Sequence, residues 1–190
     1  MAKLDPQVLA HLEWLGFVQP TGLVVSATAL VRAGAILDRR DAEGQRMLRE
    51  CLAEPRDAGD EGAPVISDFA QFASRVLGWS FSPKGYAGTE DEPIPPELEV
   101  ALPDYGVTLR PDFAVRERDL ADGSPPWQLL VTTLDGTDFD TVTRASGHLE
   151  ASAHGRMERL LRETGVPAGL LFNGRALRLI SAPRGESGLA

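Results

Sequence analysis

The chain has 190 residues, of which 43% are hydrophobic and 25% are charged. These values are typical of one folded domain with a small addition, and they exclude a disordered, collagen-like or coiled-coil chain. With 28 acidic and 19 basic residues, the formal net charge is −9 at pH 7. Because this charge repels phosphate and anionic lipid, it disfavours non-specific DNA binding by the chain alone. A local arginine patch would still be able to act within a larger assembly.

Cysteine and lysine are rare, which narrows the possible chemistry. Cys51 is the only cysteine, so the chain forms no internal disulfide and no cysteine-rich zinc site, and we expect this side chain to be packed in a core. Lys3 and Lys84 are the only lysines. The most apolar stretch, residues 22–37, is interrupted by polar residues and falls short of the roughly 20 apolar residues of a membrane helix. We expect a cytoplasmic protein with no membrane contact.

Residues 1–55 are predicted to form a helical N-terminal segment. Apolar residues recur every three or four positions over residues 4–15, which indicates a short amphipathic helix. Ser26 has the character of an N-cap and predicts a second helix that ends at Leu37. Residues 54–62 are polar and rich in glycine, which predicts a loop and the boundary to the next domain.

Residues 64–183 are predicted to form an α/β core. Ser67 is expected to cap its first helix, after which the apolar pattern becomes extended and predicts a strand over residues 107–115. Residues 127–134 contain no charge, as expected of a central strand that helices cover on both faces. Residues 152–164 form an amphipathic pattern that predicts a second helix of the core.

Two strands are predicted to close the core, over residues 168–172 and 175–180. Asn173-Gly174 lies between them, and this dipeptide favours a type I′ hairpin turn. Residues 184–190 are expected to be a tail or the start of a linker. The predicted fold is therefore a mixed α/β sheet of about five strands flanked by helices, with the helical segment before it.

Arg110-Pro111-Asp112 on one strand, followed by an apolar strand, a helix and a closing strand pair, resembles the core of PD-(D/E)xK nucleases. Together with residues 14–23, the chain resembles the leading region of large restriction-modification and phage-defence polypeptides that have an adenine-methylase core. The resemblance implies a restriction-endonuclease-like core. It also implies a DNA-methylase or helicase subunit or domain as partner, with DNA contact possible inside the assembly.

The resemblance places two residues, Asp112 and Gln128, at a metal site. Asp112 stands where the first carboxylate is expected, but the second strand reads Gln128-Leu129-Leu130 where the family has an acid, any residue and lysine. Gln128 is neutral and a poor ligand for Mg²⁺, and Leu130 cannot orient a water molecule. We therefore expect a vestigial site without cofactor, in which Asp112 is a strand-end residue that accepts backbone hydrogen bonds.

An active Mg²⁺-dependent DNA endonuclease is the first alternative. It would need Glu117 or Asp135 to supply the second carboxylate, and Arg110 to replace the lysine. Arginine does not readily give up a proton, and its planar head differs from lysine in reach.

Arg156, Arg159 and Arg162 are the candidate nucleic-acid contacts. They follow one another at intervals of three on a predicted helix, so they share one broad face that would be able to touch a phosphate backbone. Glu158 and Glu163 dilute that charge, and an ordinary solvated helix face is the alternative explanation.

No metal site is predicted elsewhere in the chain. Asp135, Asp138 and Asp140 are spaced like the start of a calcium-binding loop, but the loop would lack its bidentate glutamate. His148 and His154 are six residues apart, a spacing that does not place them on one helical face.

Three functions follow from these patterns. We expect a degenerate nuclease-fold module of a restriction-modification or phage-defence system, which does not cleave and acts in DNA contact or assembly. An active endonuclease is one alternative. A scaffold that docks a methylase or helicase without touching DNA is the other, and the acidic pI of about 4.8 favours it.

Overall fold

The structure is a computed structural model that describes residues 5–18, 25–38, 40–53, 64–79, 86–116, 127–144 and 148–183. The chain divides into two compact units between Gln45 and Arg46. This division precedes the predicted boundary at residues 54–62, which lies outside the described residues. Within the described part, no helix is long and apolar enough to cross a membrane.

The elements that the structure describes in the first unit are helices. They are α1 (Pro6–Leu15), α2 (Ala27–Arg32) and the start of α3 (Ala42–Cys51). Ser26 caps α2, because its side chain accepts a hydrogen bond from the amide of Ala29 at 3.2 Å. The predicted extension of this helix to Leu37 is wrong. Gly34 adopts a φ of +76°, a left-handed conformation that is incompatible with continuing the helix.

The second unit begins with the rest of α3 and contains all strands of the described part. In chain order these elements are β1 (Leu52–Ala53), β2 (Val65–Ile66), α4 (Phe69–Arg75), β3 (Tyr86–Ala87), β4 (Val100–Leu102), β5 (Val107–Leu109), β6 (Phe113–Arg116), β7 (Trp127–Thr133), β8 (Thr143–Arg144), β9 (Glu150–Ala151), α5 (Ala153–Thr164), β10 (Ala168–Phe172) and β11 (Leu177–Ile180). Cys51, at the end of α3, is a buried free cysteine, as expected.

A mixed sheet of five strands forms the centre of this unit, in the order β11-β10-β7-β6-β3. The pairs β3/β6, β6/β7 and β10/β11 are antiparallel, whereas β10 runs parallel to β7. A parallel neighbour requires a crossover connection, and α5 lies within the one that joins β7 to β10. The predicted α/β class and mixed five-stranded sheet are therefore confirmed, with β7 in the central position.

Helices cover both faces of β7. Leu130 is fully buried in a cluster with Met157 and Leu161 of α5. Val131, the next residue, is fully buried in a second cluster with Phe69 and Phe72 of α4. Because successive side chains of a strand point to opposite faces, the uncharged run of β7 supplies both cores. The prediction of a central strand covered on both faces is confirmed.

The segment predicted as one strand over residues 107–115 is two strands. Among the described residues, β5 pairs with β4 alone, in a separate two-stranded sheet, while β6 pairs with β3 and β7. Pro111 lies between them and has no amide hydrogen to donate to a sheet. The next amide, that of Asp112, donates to the carbonyl of Val131 at 2.8 Å and starts the new pairing.

The cap of α4 differs from the prediction by one residue. Asp68, not Ser67, is the N-cap, and its carboxylate accepts from the amide of Gln71 at 2.9 Å. Either side chain has the required acceptor, and the extended backbone at Asp68 decides which one is used. The helix predicted over residues 152–164 is α5, with Ser152 as its N-cap, and Gly165 ends the helix with a φ of +75°.

The closing hairpin is present, but its turn is longer than predicted. β11 begins at Leu177, so residues 173–176 form a four-residue connection. Of the two central residues of the predicted turn, only Gly174 has a positive φ, and a type I′ turn needs both. The Asn173 side chain instead accepts hydrogen bonds from the amides of Arg175 and Ala176, which closes the wider turn.

Candidate functional site

Asp112 lies in the bend that leads into β6, beside the end of β7. Its Oδ2 atom accepts hydrogen bonds from the amide of Thr133 at 2.6 Å and from the Thr133 hydroxyl at 2.9 Å. The backbone amide of Asp112 in turn donates a hydrogen bond to the carbonyl oxygen of Val131. The side chain thus clamps the β6 start to β7, which is the geometry of a strand-end residue held by backbone hydrogen bonds.

Tyr86 of β3 is the second polar side chain at this place. Its ring packs against Phe113, with 5.3 Å between the ring centroids, and the residue is 2% exposed. Burial, reinforced by the negative charge of Asp112, raises the pKa of the Tyr86 phenol. The phenol therefore stays neutral at physiological pH, so the pair consists of one carboxylate and one neutral hydroxyl.

The structure does not bring Gln128 to Asp112. Phe113 pairs with Val131, so the residues of β7 beside Asp112 are Thr132 and Thr133. Gln128 lies five residues before Thr133, which is about 16 Å along the strand. The sequence analysis did not predict that Thr133 contacts Asp112. The sequence of one strand alone does not determine its pairing register with a neighbouring strand.

These residues do not fit a magnesium ion. The site offers the one carboxylate of Asp112, whose Oδ2 already accepts two hydrogen bonds from Thr133, where Mg²⁺ sites use carboxylates with waters or phosphate oxygens. Glu117 lies outside the described residues, and Asp135 is exposed after the end of β7. In the described part, no group of three or more His, Cys, Asp or Glu is placed to hold a metal.

Arg156, the first candidate nucleic-acid contact, is tied to neutral oxygens around the start of α5. Its Nη1 atom donates to the carbonyl of Ala151 at 2.8 Å, to the hydroxyl of Thr143 at 3.1 Å and to the carbonyl of Thr143 at 3.4 Å. These bonds connect α5 to β8 and to the end of β9. Part of this guanidinium therefore has a structural role.

The other two candidate arginines have different surroundings. Arg159 lies over the ring of Tyr105, with 5.8 Å from the guanidinium carbon to the ring centroid. Arg162 pairs with Glu158 at 3.5 Å, one turn earlier on α5. The structure thus places the three arginines of α5 in three environments rather than in one uniform phosphate-contacting face.

A second polar cluster joins α5 to β11, and the sequence patterns gave no indication of it. Arg178 binds Asp140 through both oxygens of the carboxylate, at 2.6 and 2.9 Å, and its Nη1 lies 3.4 Å from Nδ1 of His154. The hydrogen bond from Arg178 lowers the pKa of Asp140, and the same contact raises the pKa of Arg178. Because the partners are far apart in sequence, no local pattern reveals the pair.

Comparison of the chain with protein-family models, curated proteins and solved structures gave no match. The order of the core elements and the contacts of Asp112 and the α5 arginines are therefore the observations that bear on function.

Proposed function

We propose that this chain is a nuclease-fold module of a cytoplasmic restriction-modification or phage-defence system, which does not cleave and acts in DNA contact or assembly. The observation that carries the proposal is the order and direction of the core elements. α4 is followed by the antiparallel strands β3, β6 and β7, then by α5 and by β10 parallel to β7. A PD-(D/E)xK core has this order, with Pro-Asp at its second strand, and here Pro111 and Asp112 come directly before β6.

The absence of cleavage is inferred from the residues beside Asp112. Metal-assisted hydrolysis of a phosphodiester needs carboxylates that hold the cation and a group that orients the attacking water. The residue of β7 that contacts the Asp112 side chain is Thr133, which has no carboxylate to serve as a second acid. Neither β6 nor β7 contains a lysine. In the part of the chain that the structure describes, the surroundings of Asp112 therefore lack both a second carboxylate to hold the ion and a lysine to orient the attacking water.

The acidic charge of the molecule favours a second candidate function. A net charge of −9 opposes close approach to DNA, so a module that only docks a methylase or helicase partner would have no need of a basic surface. In both cases the chain works as part of an assembly with such a partner.

A nuclease assay tests the first proposal. Supercoiled and linear duplex DNA are incubated with the purified chain and Mg²⁺ or Mn²⁺, and we expect no nicking above the buffer control. Asp112→Ala should leave this result unchanged. Metal-dependent cleavage that Asp112→Ala abolishes would show an active endonuclease and contradict the proposal.

Co-purification tests the assembly part. A methylase or helicase encoded beside this chain should elute with it from a sizing column, and the complex should bind duplex DNA more tightly than the chain alone. Separate elution of both proteins at micromolar concentration would count against a module of this kind.

A further inference from the structure

A small cleft lies at the start of α5, next to the ends of β5 and β7. Its polar lining comes from Arg110, Thr132 and Arg156, and the rest of the lining is apolar. The volume is about 70 Å³. Pockets for nucleosides or organic cofactors are usually about 300–1,000 Å³, so this cleft suits a single small group.

Arg156 brings a positive charge to this cleft without a matching carboxylate. Its three hydrogen bonds end on neutral oxygens of Thr143 and Ala151, and in the described part of the chain it forms no ion pair. All three bonds leave from Nη1, so Nε and Nη2 keep their donor hydrogens. An arginine side chain stays protonated at any physiological pH. A partly buried charge of this kind favours an anion nearby.

Arg110 and Thr132 add further donors to the same cleft. Arg110 is paired through Nε with Glu99 at 3.2 Å, and its side chain is 53% exposed, which leaves its other nitrogens accessible. The hydroxyl of Thr132 has no hydrogen-bond partner among the residues that the structure describes. No Asp or Glu is among the residues that line the cleft. The cleft therefore offers donors and positive charge, and the carboxylate of Glu99, which is not part of the lining, pairs with Nε of Arg110.

The backbone amides at the start of α5 do not supply the hydrogen-bond donors of the cleft. The amide of Gly155 is bonded to the hydroxyl of Ser152, and the amide of His154 to the carbonyl of Phe139. The donors that face a ligand would be the two guanidinium groups and one hydroxyl. One planar guanidinium group can bind two phosphate oxygens at once, through two charge-assisted hydrogen bonds.

We propose that this cleft binds a phosphate group directly through Arg110 and Arg156, with Thr132 as a third donor. Thr132 and Thr133 point to opposite faces of β7, so the phosphate cleft is separate from the Asp112 site. The source of the phosphate rests on the proposed function: a module that contacts DNA would take one phosphate of the backbone. Free inorganic phosphate is the other source of the same chemistry.

The first experiment uses inorganic phosphate as the probe. The ¹⁵N-labelled full chain is titrated with sodium phosphate against sodium chloride at constant ionic strength, and NMR shifts are followed. We expect shifts of the Arg156 Nε–H group and of the amides of Arg110 and Thr132. Arg110→Gln should weaken phosphate binding about tenfold, the equivalent of one charge-assisted hydrogen bond.

Arg144→Gln is the matched control. Arg144 is also exposed and is also paired through Nε with a glutamate, Glu150 at 3.9 Å, but it is not among the residues that line the cleft. It should change phosphate affinity less than about twofold, since it removes the same charge away from the ligand. Thr132→Val provides a second cleft variant of nearly the same volume. Together these variants avoid Arg156, whose replacement would also remove structural bonds.

The second experiment replaces phosphate with a short DNA duplex, followed by fluorescence anisotropy. Cleft shifts with phosphate, together with DNA binding that Arg110→Gln weakens more than Arg144→Gln, would support the cleft and identify DNA as the source. Cleft shifts without DNA binding would support the cleft with free phosphate as ligand and contradict the DNA-contact function. Shifts that miss the cleft, or equal effects of both variants, would overturn the cleft proposal and leave the proposed function intact.

Discussion

The contact between Asp140 and Arg178 shows how one residue pair organises a surface of the second unit. Arg178 reaches from β11 to both carboxylate oxygens of Asp140 and also lies over the ring of Phe139, with 5.0 Å from the guanidinium carbon to the ring centroid. The same guanidinium approaches His154 of α5. This planar group connects three segments, namely its own strand β11, residues 139–140 and α5.

Asp140→Asn tests how much the pair of Asp140 and Arg178 contributes to the free energy of unfolding. Arg178 holds the pKa of Asp140 below its ordinary value, so the pair stabilises the fold above the unfolded-state pKa of about 3.9. That contribution is lost as the pH falls through the lower pKa of the folded state. We expect the variant to lose less than about 1 kcal/mol in free energy of unfolding at pH 7, because Asp140 is mostly exposed.

Urea unfolding at pH 7 and at a strongly acidic pH measures this effect. The difference between variant and parent should shrink towards zero at the acidic pH, where Asp140 is protonated in both states. Asp91→Asn is the control, since Asp91 is exposed and forms no ion pair in the described part. A loss that is equal at both pH values would show that the charge of Asp140 is not the cause.

Glycines set the closest approaches between the elements of the second unit. Gly88, after β3, has a φ of +109°, and a Cβ atom there would overlap the carbonyl oxygen of Asp112. At Gly169 of β10, a Cβ atom would lie 2.6 Å from the sulfur of Met157 on α5. The missing side chains let the bend at Asp112 and the helix α5 pack directly on neighbouring strands.

Gly88→Ala is expected to be the most damaging of these glycine substitutions. It combines a backbone conformation that costs about 1–2 kcal/mol for an L-residue with a clash against backbone, which adds about 1–3 kcal/mol. Gly106→Ala is the matched control, because Gly106 has a φ of +64° and a Cβ atom there would meet no other atom within 4 Å. It should cost about 1–2 kcal/mol.

Urea midpoints of the two variants provide the comparison. If Gly88→Ala is no less stable than Gly106→Ala, the close approach of Gly88 to Asp112 does not exist in solution. The register of β3 against β6 would then have to differ from the one described.

At the scale of the molecule, seven of the 13 arginines that the structure describes are paired with a carboxylate on its own surface. Many of the described arginines lie within ion-pair distance of a carboxylate, in the pairs Arg46–Glu50, Arg75–Glu50, Arg110–Glu99, Arg116–Glu92, Arg144–Glu150, Arg162–Glu158 and Arg178–Asp140. Because the formal net charge is also −9, the molecule as a whole repels a phosphate backbone.

We therefore expect weak binding of DNA by the chain alone. At ~150 mM salt the dissociation constant for duplex DNA should be no tighter than about 10⁻⁵ M, within the non-specific range, and a methylase or helicase partner should bind more tightly than this. The salt dependence should be shallow, with a slope of about −2 or less in magnitude if only one or two phosphates are contacted. Titration of a labelled duplex at several salt concentrations measures both quantities. Nanomolar, sequence-dependent binding by the free chain would contradict the module proposal.

Local patterns were sufficient for the class of the fold and for most of its elements. The uncharged run of β7 and the cap at Ser26 are properties of neighbouring residues, and neighbours decide periodicity and capping. The break at Pro111 was missed, although proline cannot donate to a sheet, because the alternation of apolar and polar residues continues across it. The pairing of Asp112 with Thr133 was not readable, because a strand repeats every two residues and fits several registers equally well. Contacts between distant segments exist only after the sheet and helices have packed, and they decide which polar groups share a site.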